Sequence, residues 1–462
     1  MKTVAVIDIG KTNAKVALVD LDRFEEVAVR RTGNAVVREA PYPHFDTARL
    51  WAFILDSLAE LHRETPVDAI SVTAHGATAV LVDAHGDLAL PVLDYEHSGP
   101  DTVRPAYDRV RPPFSETGSA ELPGGLNIGA QIYWQQQTFP DAFSRVASIL
   151  TYAQYWTFLL TGVRTTELTS LGCHSDLWNP KAGRFSTLVD AQGWERLFAP
   201  VHQADDGLGG LTEAVAARTG LPKDTPVTCG IHDSNASLLP HLLARPAPFS
   251  VVSTGTWVVI LSVGGADVVL DEHRDTLINV NALGDPVPSA RFMGGRAFAT
   301  LIGNDPVSAT EADIEQVLAR SAMLLPSVPQ GSGPYPSMVA RFTVDEAALS
   351  PGERFAVVSF HLALMTATSL GLIGAAGDII VEGPFAANAT YLRMLSAATG
   401  RAVRAGSQSA TGTSLGAACL AARGRARVRD GAPVRETSAA FAAYARDWLG
   451  RVEAEAPQGS SV

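Results

Sequence analysis

Residues suited to phosphoryl transfer lie in two glycine-containing segments and in an acidic segment between them. Asp8-Ile9-Gly10-Lys11-Thr12-Asn13 follows an apolar run near the N terminus, and Ser253-Thr254-Gly255-Thr256-Trp257 follows another past the midpoint. Gly230-Ile231-His232-Asp233-Ser234 comes shortly before the second glycine segment. Two glycine turns that face each other can hold a polyphosphate, and an aspartate beside them can act as a base.

The predicted phosphate cradle consists of the two turn glycines and the polar residues beside them. A glycine lets backbone N–H groups approach an anion because no side chain blocks the way. The sequence lacks a Gly-x-x-x-x-Gly-Lys-Ser/Thr loop, so the predicted cradle differs from that of P-loop proteins. The residues assigned to the cradle are Gly10, Lys11, Thr12, Asn13, Lys15, Thr254, Gly255 and Thr256.

Two aspartates follow apolar strands, where a carboxylate is costly unless something pairs with it. Hydrated Mg²⁺ is a suitable partner for Asp8, since this ion keeps its waters and takes few carboxylates. The alternative is that Asp8 caps the turn. Asp233 lies between a short strand and a predicted helix, so it is either a general base or an ordinary N-cap.

Candidate sugar-binding residues follow a predicted strand or fall in a polar segment after it. His75 and Gly76 end the strand that begins near Val67; His75 either contacts a polyol or is a satisfied turn histidine. Tyr95 and Glu96 lie in Asp94-Tyr95-Glu96-His97, whose mixture of polar and aromatic groups is typical of sugar pockets but also of solvated loops.

Two further groups of residues have both a binding and a structural interpretation. Asn127 and Gln131 fall near a helix start, where they recognise hydroxyl groups or cap the helix. Gly383 follows a predicted strand and forms a turn against which a flat base can lie. Asn388, at the next helix start, reaches a purine edge or only caps its helix.

The elements that carry these residues occur twice. Each half opens with a strand, a glycine turn and a return strand, and helices then alternate with further buried strands, which indicates an α/β architecture. We predict two duplicated α/β domains, residues 1–244 and 245–455, with a cleft between them, where ligands commonly bind.

Composition narrows the class of protein. A chain of 462 residues is too long for a single hydrophobic core. A content of 46% hydrophobic and 18% charged residues indicates a packed globular protein. The net charge of −12 argues against nucleic-acid or anionic-membrane partners. Three scattered cysteines suggest buried thiols in a reducing compartment, and the sequence opens with no leader pattern. We expect a cytoplasmic protein; a homodimer is one possible assembly.

In combination and order, these motifs resemble those of the FGGY carbohydrate kinases, from Val4 to about Arg423. The resemblance implies an actin-like (ribonuclease H-like) ATPase fold in both domains and ATP-dependent phosphorylation of a sugar or polyol. It also implies Asp233 as base, His232 in the sugar site, Mg²⁺ near Asp8 and Asp233, and closure of the domains. The matching segments are Ile7 to Asn13, Gly230 to Ser234, Ser253 to Trp257, Val381 to Asn388 and Gly412 to Ala418.

The particular residues within these motifs also indicate which substrate is expected. The His-Asp-Ser form of the catalytic segment is similar to the deoxyketose branch, and L-rhamnulose is our first choice, with L-fuculose or a pentulose as alternatives. Gly76 and Ala77 stand where glycerol kinases carry Arg and Glu, which argues against glycerol. His75 and Thr78 depart from the familiar rhamnulokinase pattern, so the sugar contacts are expected to differ. The rival hypothesis from another class is a non-catalytic actin-like regulator.

Overall fold

Two β-hairpins, one in each half of the chain, are the centres of two separate sheets. The computed structural model describes residues 1–303, 306–406, 412–422, 428 and 430–455. It divides into two units, the first comprising Met1–Ala244, Ile278–Val287 and Thr411–Arg427, and the second comprising Arg245–Leu277, Pro288–Ala410 and Val428–Val462. The first segment ends at Ala244, where the sequence places the boundary, but two later segments return to the first unit instead of continuing the second.

The strands in chain order are β1 (Thr3–Ile9), β2 (Asn13–Asp20), β3 (Glu25–Gly33), β4 (Val36–Val37), β5 (His44–Phe45), β6 (Ala69–Ala74), β7 (Ala79–Val82), β8 (Ser148–Thr151), β9 (Thr166–Glu167), β10 (Trp178–Asn179), β11 (Arg184–Phe185), β12 (Val201–His202), β13 (Ile231–His232), β14 (Phe249–Thr254), β15 (Val258–Val263), β16 (Thr276–Val280), β17 (Pro286–Phe292), β18 (Leu324–Leu325), β19 (Arg341–Phe342), β20 (Asp378–Glu382) and β21 (Val403–Ala405).

The α-helices are α1 (Thr47–Glu64), α2 (Arg104–Tyr107), α3 (Phe114–Thr117), α4 (Ile128–Thr138), α5 (Pro140–Phe143), α6 (Tyr152–Thr161), α7 (Leu168–Leu171), α8 (Thr187–Gln192), α9 (Glu213–Thr219), α10 (Asp233–Ala244), α11 (Gly294–Ile302), α12 (Glu311–Arg320), α13 (Pro351–Leu372), α14 (Ala389–Thr399), α15 (Gly412–Ala421) and α16 (Ala439–Glu455).

The first sheet has the strand order β13-β6-β1-β2-β3. Strands β1 and β2 form the predicted antiparallel hairpin, in register from Thr3 opposite Asp20 to Ile9 opposite Ala14. Strand β6 runs parallel to β1, and the short strand β13 runs parallel to β6 at the edge. The carboxyl ends of β1, β6 and β13 carry Asp8, His75 and Asp233, so parallel pairing brings these residues to one edge of the sheet.

The second sheet repeats these relationships. Its order is β16-β17-β15-β14-β20-β21, with β14 and β15 forming an antiparallel hairpin. Strand β20 runs parallel to β14, and β21 runs parallel to β20. Strand β17 is antiparallel to β15, as β3 is to β2. The prediction of a duplicated α/β fold is therefore confirmed.

Buried apolar residues explain why each sheet forms where it does. Val4, Ala5, Val6 and Ile7 of β1 are fully buried, as expected of a strand covered on both faces. Helix α1 buries a stripe of leucine and isoleucine residues at helical spacing, and its first turn is capped by the side chain of Asp46.

Helix α13 has the same kind of role in the second unit. It is the one described helix that is long and apolar enough to cross a membrane, but 78% of its most apolar window is buried inside the protein. Its start is fixed by a capping box between Ser350 and Glu353. Helix α13 is therefore buried as a core helix is.

Helices α10 and α15, both in the first unit, cross at a point that only glycine allows. A Cβ atom added to Gly416 would lie 1.7 Å from the backbone oxygen of Ala236. Helix α10 begins at Asp233, so this crossing supports the element that carries the predicted base.

Replacing Gly416 with alanine should therefore destabilise the protein by about 2 kcal/mol or more, because a backbone contact cannot yield as a side chain can. Urea unfolding measures the change. The control is Gly450→Ala in helix α16, where an added Cβ meets nothing within 4 Å and a gain of about 0.5–1 kcal/mol is expected. Equal effects of the two substitutions would contradict the close crossing.

Candidate active site

The first glycine turn is closed by backbone bonds and presents polar residues at its tip. Gly10 N donates to the carbonyl of Asn13 at 2.9 Å, and Asn34 fastens the turn from the side through its amide, which donates to Gly10 O at 2.8 Å. Thr12 and Asn13 are exposed. The turn thus has the form expected of one side of a phosphate cradle.

Asp8 has a partner within the protein. Its carboxylate lies 3.5 Å from the ammonium of Lys15, the residue opposite it in the hairpin, and Lys15 also pairs with Glu26 at 3.0 Å. Burial raises the pKa of Asp8 to about 6 against the pull of Lys15, and the carboxylate of Asp233 adds to this rise. The charge of Asp233 therefore acts on Asp8, and the turn is closed by backbone bonds instead of by Asp8.

Lys11 extends toward the predicted sugar segment. Its ammonium contacts the carboxylate of Asp94 and lies 3.4 Å from that of Glu96. It also lies 4.7 Å from the centre of the Tyr95 ring, a favourable position for a cation. In this structure Lys11 joins the phosphate turn to residues 94–96, so the sequence prediction of a phosphate ligand stays a prediction.

Asp233 presents one carboxylate oxygen to the protein and keeps the other open. Its Oδ1 accepts from Ser234 N at 2.6 Å and lies 3.1 Å from His232 Nε2, whereas no hydrogen bond to Oδ2 is found among the described residues. The side chain is 35% exposed. Asp233 is also the first residue of α10, so its position suits both alternatives raised by the sequence.

The charge of this pair is set by its surroundings. Burial alone would raise the pKa of Asp233, but the adjacent His232 holds that pKa below its usual range. Burial likewise opposes a charge on His232, yet the neighbouring Cys173 and Asp233 raise its pKa well above the ordinary value. Both pKa shifts favour an ionised Asp233 carboxylate beside the His232 imidazole, whose Nε2 lies 3.1 Å from Asp233 Oδ1.

Gly76 makes room for that imidazole. A Cβ atom at position 76 would lie 2.6 Å from His232 Cδ2 and 2.8 Å from His232 Nε2. A larger residue there and His232 in its present place exclude each other. Gly76 is therefore required for the present position of the His232 imidazole.

His75 lies beside this pair in an aromatic setting. Its ring centre is 4.7 Å from that of Tyr152, 5.0 Å from Tyr95 and 5.5 Å from Phe45. Neither ring nitrogen has a hydrogen-bond partner in the described part of the chain, although the residue is only 8% exposed. Burial lowers the pKa of His75 to about 3, so a neutral imidazole is available to a sugar hydroxyl.

Asn127 and Gln131 are completely buried, and their amides are bonded to the protein. The Asn127 amide accepts from Leu122 N at 2.8 Å and donates to Ala120 O, His174 O and Ser119 Oγ at 3.0–3.1 Å. The Gln131 amide donates to Ala77 O at 2.6 Å and to Gly125 O. These bonds favour a structural role in shaping the loops, and direct sugar contact stays a prediction.

The second glycine turn also has an exposed tip. Gly255 N donates to Trp257 O at 2.9 Å, and Gly255 and Thr256 are exposed. Trp257 lies under the guanidinium of Arg291, 4.9 Å from the ring centre. The glycine N–H donates to a carbonyl three residues later in the first turn and two residues later in the second, and both turns leave an exposed tip that suits a phosphate.

Thr254 ties this turn to the predicted adenine-binding turn. Its hydroxyl donates to Glu382 O at 2.5 Å and accepts from Phe385 N at 3.1 Å. Gly383 has φ of +82°, and a Cβ there would lie 2.1 Å from Thr254 O. Only glycine fits this approach, so the two turns of the second unit form one rigid assembly.

Asn388 caps helix α14. Its Oδ1 accepts from Tyr391 N at 3.0 Å, and its Nδ2 donates to Ser359 Oγ at 2.9 Å. The capping alternative therefore describes its place in this structure, and contact with a purine is untested.

The acidic residues fit Mg²⁺ better than a metal held by protein alone. The described residues contain no group of three or more His, Cys, Asp or Glu side chains arranged to hold a metal. The carboxylates of Asp8 and Asp233 are hard oxygen donors of the kind that Mg²⁺ prefers, so they would suit this ion together with waters and substrate phosphates.

Sequence reasoning missed the buried residues behind the catalytic segment. Thr169 Oγ1 donates to the carboxylate of Glu167 and accepts from His232 N, and Gln154 donates to Cys229 O and Gly230 O at 2.9 and 3.2 Å. The run Thr166-Glu167-Leu168-Thr169-Ser170 resembles a helix start, which was the available signal.

Two α/β units with matching hairpins and glycine turns define the fold of the two-domain sugar kinases. Residues 3–240 match the model of the FGGY N-terminal domain, and residues 246–429 match that of the FGGY C-terminal domain. The chain belongs to the FGGY family of carbohydrate kinases.

Individual relatives agree with this assignment. A solved carbohydrate kinase from Novosphingobium aromaticivorans is 37% identical, with a TM-score of 0.89 over 97% of this chain and 100% of that chain. L-fuculokinase of Escherichia coli K12 is 25% identical over 56% of each protein. Rhamnulokinase of Halalkalibacterium halodurans is 23% identical over 54% of this chain and 52% of that protein. The matched part thus spans about half the length of these curated relatives.

The contact between Gly76 and His232 generates a prediction. Gly76→Ala should reduce kcat for sugar phosphorylation by about 10-fold or more, because the imidazole must leave its place beside Asp233. Coupled detection of ADP measures the rate. Gly33→Ala, at a site where a Cβ meets nothing within 4 Å, is the control and should change kcat by less than about two-fold. An unchanged rate in Gly76→Ala would show that the imidazole position is unimportant.

Proposed function

We propose that this protein transfers the γ-phosphate of ATP to a hydroxyl group of a ketose, with Asp233 as the base. The observation that carries the proposal is the Asp233 carboxylate, whose Oδ1 is held by His232 and Ser234 while Oδ2 stays open to an acceptor hydroxyl. Phosphoryl transfer depends mainly on positioning and on charge stabilisation. A fixed, ionised carboxylate therefore suits the reaction even though its pKa is low.

We propose backbone groups of the glycine turn in each unit as ligands of the ATP phosphates. The exposed tips at Thr12 and Thr256 offer N–H and hydroxyl groups to the phosphates. The Gly383 turn, fastened to Thr254, offers a flat surface to the base. Mg²⁺, when bound at Asp8 and Asp233, would neutralise phosphate charge. Lys15 already offsets part of the Asp8 charge. Mg²⁺ would therefore bind to few carboxylates, which is usual for this ion in proteins.

For the acceptor we propose a 6-deoxyketose, first L-rhamnulose, with L-fuculose or a pentulose as the alternatives. The support is the His232-Asp233-Ser234 segment, the imidazole that takes the space beside Gly76, and the names of the two curated relatives. Neutral His75 and the carboxylate of Glu96 are proposed to recognise sugar hydroxyls, and the Tyr95 ring a carbon face. The reaction is proposed to take place in the cytoplasm.

A panel of acceptors tests the substrate. With ATP and Mg²⁺, kcat/KM for L-rhamnulose or L-fuculose should exceed that for glycerol by about 100-fold or more, because a site built around buried imidazoles discriminates between hydroxyl patterns. L-xylulose, L-ribulose, D-xylulose and D-ribulose complete the panel. A preference for glycerol or for a plain pentulose would reject the deoxyketose.

Substitution of the base tests the reaction itself. Asp233→Asn should fold normally and lose about 100-fold or more in kcat, since the amide cannot accept the hydroxyl proton. Asp46→Asn is the matched control, because Asp46 also begins a helix and asparagine caps equally well. If Asp233→Asn keeps most of its rate, Asp233 is not the base.

The acceptor panel, together with calorimetry, separates the kinase from a non-catalytic regulator. A regulator would bind sugar or nucleotide in calorimetry and form no sugar phosphate with any acceptor. The open Oδ2 of Asp233 favours the kinase.

A further inference from the structure

Glu167 is a buried carboxylate that the proposed reaction does not use. It is completely buried, and the described residues give it no ion-pair partner. It accepts hydrogen bonds from Thr169 N at 2.8 Å, Thr169 Oγ1 at 2.6 Å, Ser170 N at 3.1 Å and Ser170 Oγ at 3.3 Å. Burial raises its pKa to about 7 despite these bonds. Capping the short helix α7 does not require a buried glutamate, since Ser, Thr, Asp or Asn suffices at most helix N-caps.

Thr169 connects Glu167 to the catalytic segment. The single hydroxyl proton of Thr169 goes to Glu167, so the lone pairs of its oxygen are directed elsewhere. One of them accepts the backbone N–H of His232 at 3.0 Å. By taking the hydroxyl proton, the Glu167 carboxylate determines in which direction Thr169 Oγ1 can accept a hydrogen bond.

This bond lies on the unpaired side of an edge strand. Strand β13 pairs with β6 on one side only, where Ile231 and His232 face Thr73 and Ala74. On the other side, Gly230 N donates to Ala204 O at 3.1 Å, and two residues later the Thr169 hydroxyl takes the place of a strand carbonyl. Without this acceptor, the residue before Asp233 loses its outer attachment.

The preceding residues are clamped independently. Gln154 donates to the carbonyls of Cys229 and Gly230, and Gly230 adopts φ of +93°. A Cβ at Gly230 would lie 2.7 Å from Val72 O. The backbone is thus held before β13 by Gln154 and within β13 by Thr169, and Asp233 is the next residue.

We propose that Glu167 is a positioning residue for phosphoryl transfer: through the hydroxyl of Thr169 it holds the backbone of His232, and with it the Asp233 carboxylate, at the acceptor hydroxyl. The inference rests on the proposed role of Asp233 as the base. A displacement of about 1 Å at a reacting group can cost about 100-fold in rate. A single hydrogen bond at this point therefore has a large effect on kcat and a small one on substrate binding.

The test compares Thr169→Val with Thr169→Ser. Valine keeps the shape and removes the acceptor, so kcat should fall by about 10- to 100-fold while KM for sugar and for ATP changes by less than about three-fold. Serine keeps the hydroxyl and should restore at least about half of the rate. The matched control is Thr219→Val, which also removes a buried hydroxyl that donates to one backbone group and accepts from another, in helix α9. It should leave kcat within about two-fold.

Asp233→Asn in the same series distinguishes this inference from the proposed function. If Asp233→Asn is inactive and Thr169→Val behaves as Thr219→Val, positioning by Glu167 and Thr169 is rejected and the base is retained. If Asp233→Asn is active, the proposed function itself fails. In the Asp233→Asn background, Thr169→Val should change the residual rate by less than about two-fold, since both act through the same group.

Glu167→Gln provides a second route to the same answer. It removes the charge at nearly constant shape and should reproduce the selective loss of kcat. It replaces Thr169→Val in the comparison if the valine variant does not fold. If neither variant folds, the two residues maintain the first unit as a whole, and a specific role in positioning Asp233 is rejected.

Discussion

The close contact between His232 Nε2 and the Oδ1 atom of Asp233, at 3.1 Å, constrains the residues around it on several sides. It leaves no room for a side chain at position 76 while the imidazole keeps its place, because a Cβ atom there would lie 2.6 Å from His232 Cδ2. It leaves Oδ2 as the face of the carboxylate that an acceptor can reach. It also favours the ionised carboxylate, since the adjacent His232 lowers the pKa of Asp233 against the effect of burial.

Parallel strand pairing is what delivers these groups together. Strands β1, β6 and β13 end at the same edge of the first sheet. Asp8 is the last residue but one of β1, and His75 and Asp233 directly follow β6 and β13. Carboxylates gathered in this way repel one another, and Lys15 offsets this at Asp8. The hairpin partner of a metal-binding candidate is therefore itself part of the electrostatic arrangement.

The two units use the same hairpin for different purposes. The first hairpin has Asp8 two residues before its turn glycine, and the second has Ser253 at the corresponding place. At the next position Ile9 is buried as an apolar residue, whereas the hydroxyl of Thr254 bonds to the turn around Gly383. The two halves share the hairpin, and their different residues at these two positions give the first half a carboxylate and bond the second hairpin to the turn around Gly383.

The amino-acid sequence by itself determined the two hairpins, the α/β class, the FGGY membership and the order of the motifs, because strand periodicity and glycine turns are local properties. It placed the first boundary at residue 244, but not the return of 278–287 and 411–427 to the first unit. Only the tertiary structure decided that Lys11 pairs with Asp94, 83 residues away, and that the amides of Asn127 and Gln131 are bonded to the protein. Only the tertiary structure showed that Thr169 is bonded both to Glu167 and to the backbone of His232. Such pairings depend on how the chain closes over long separations, which neither residue type nor spacing encodes.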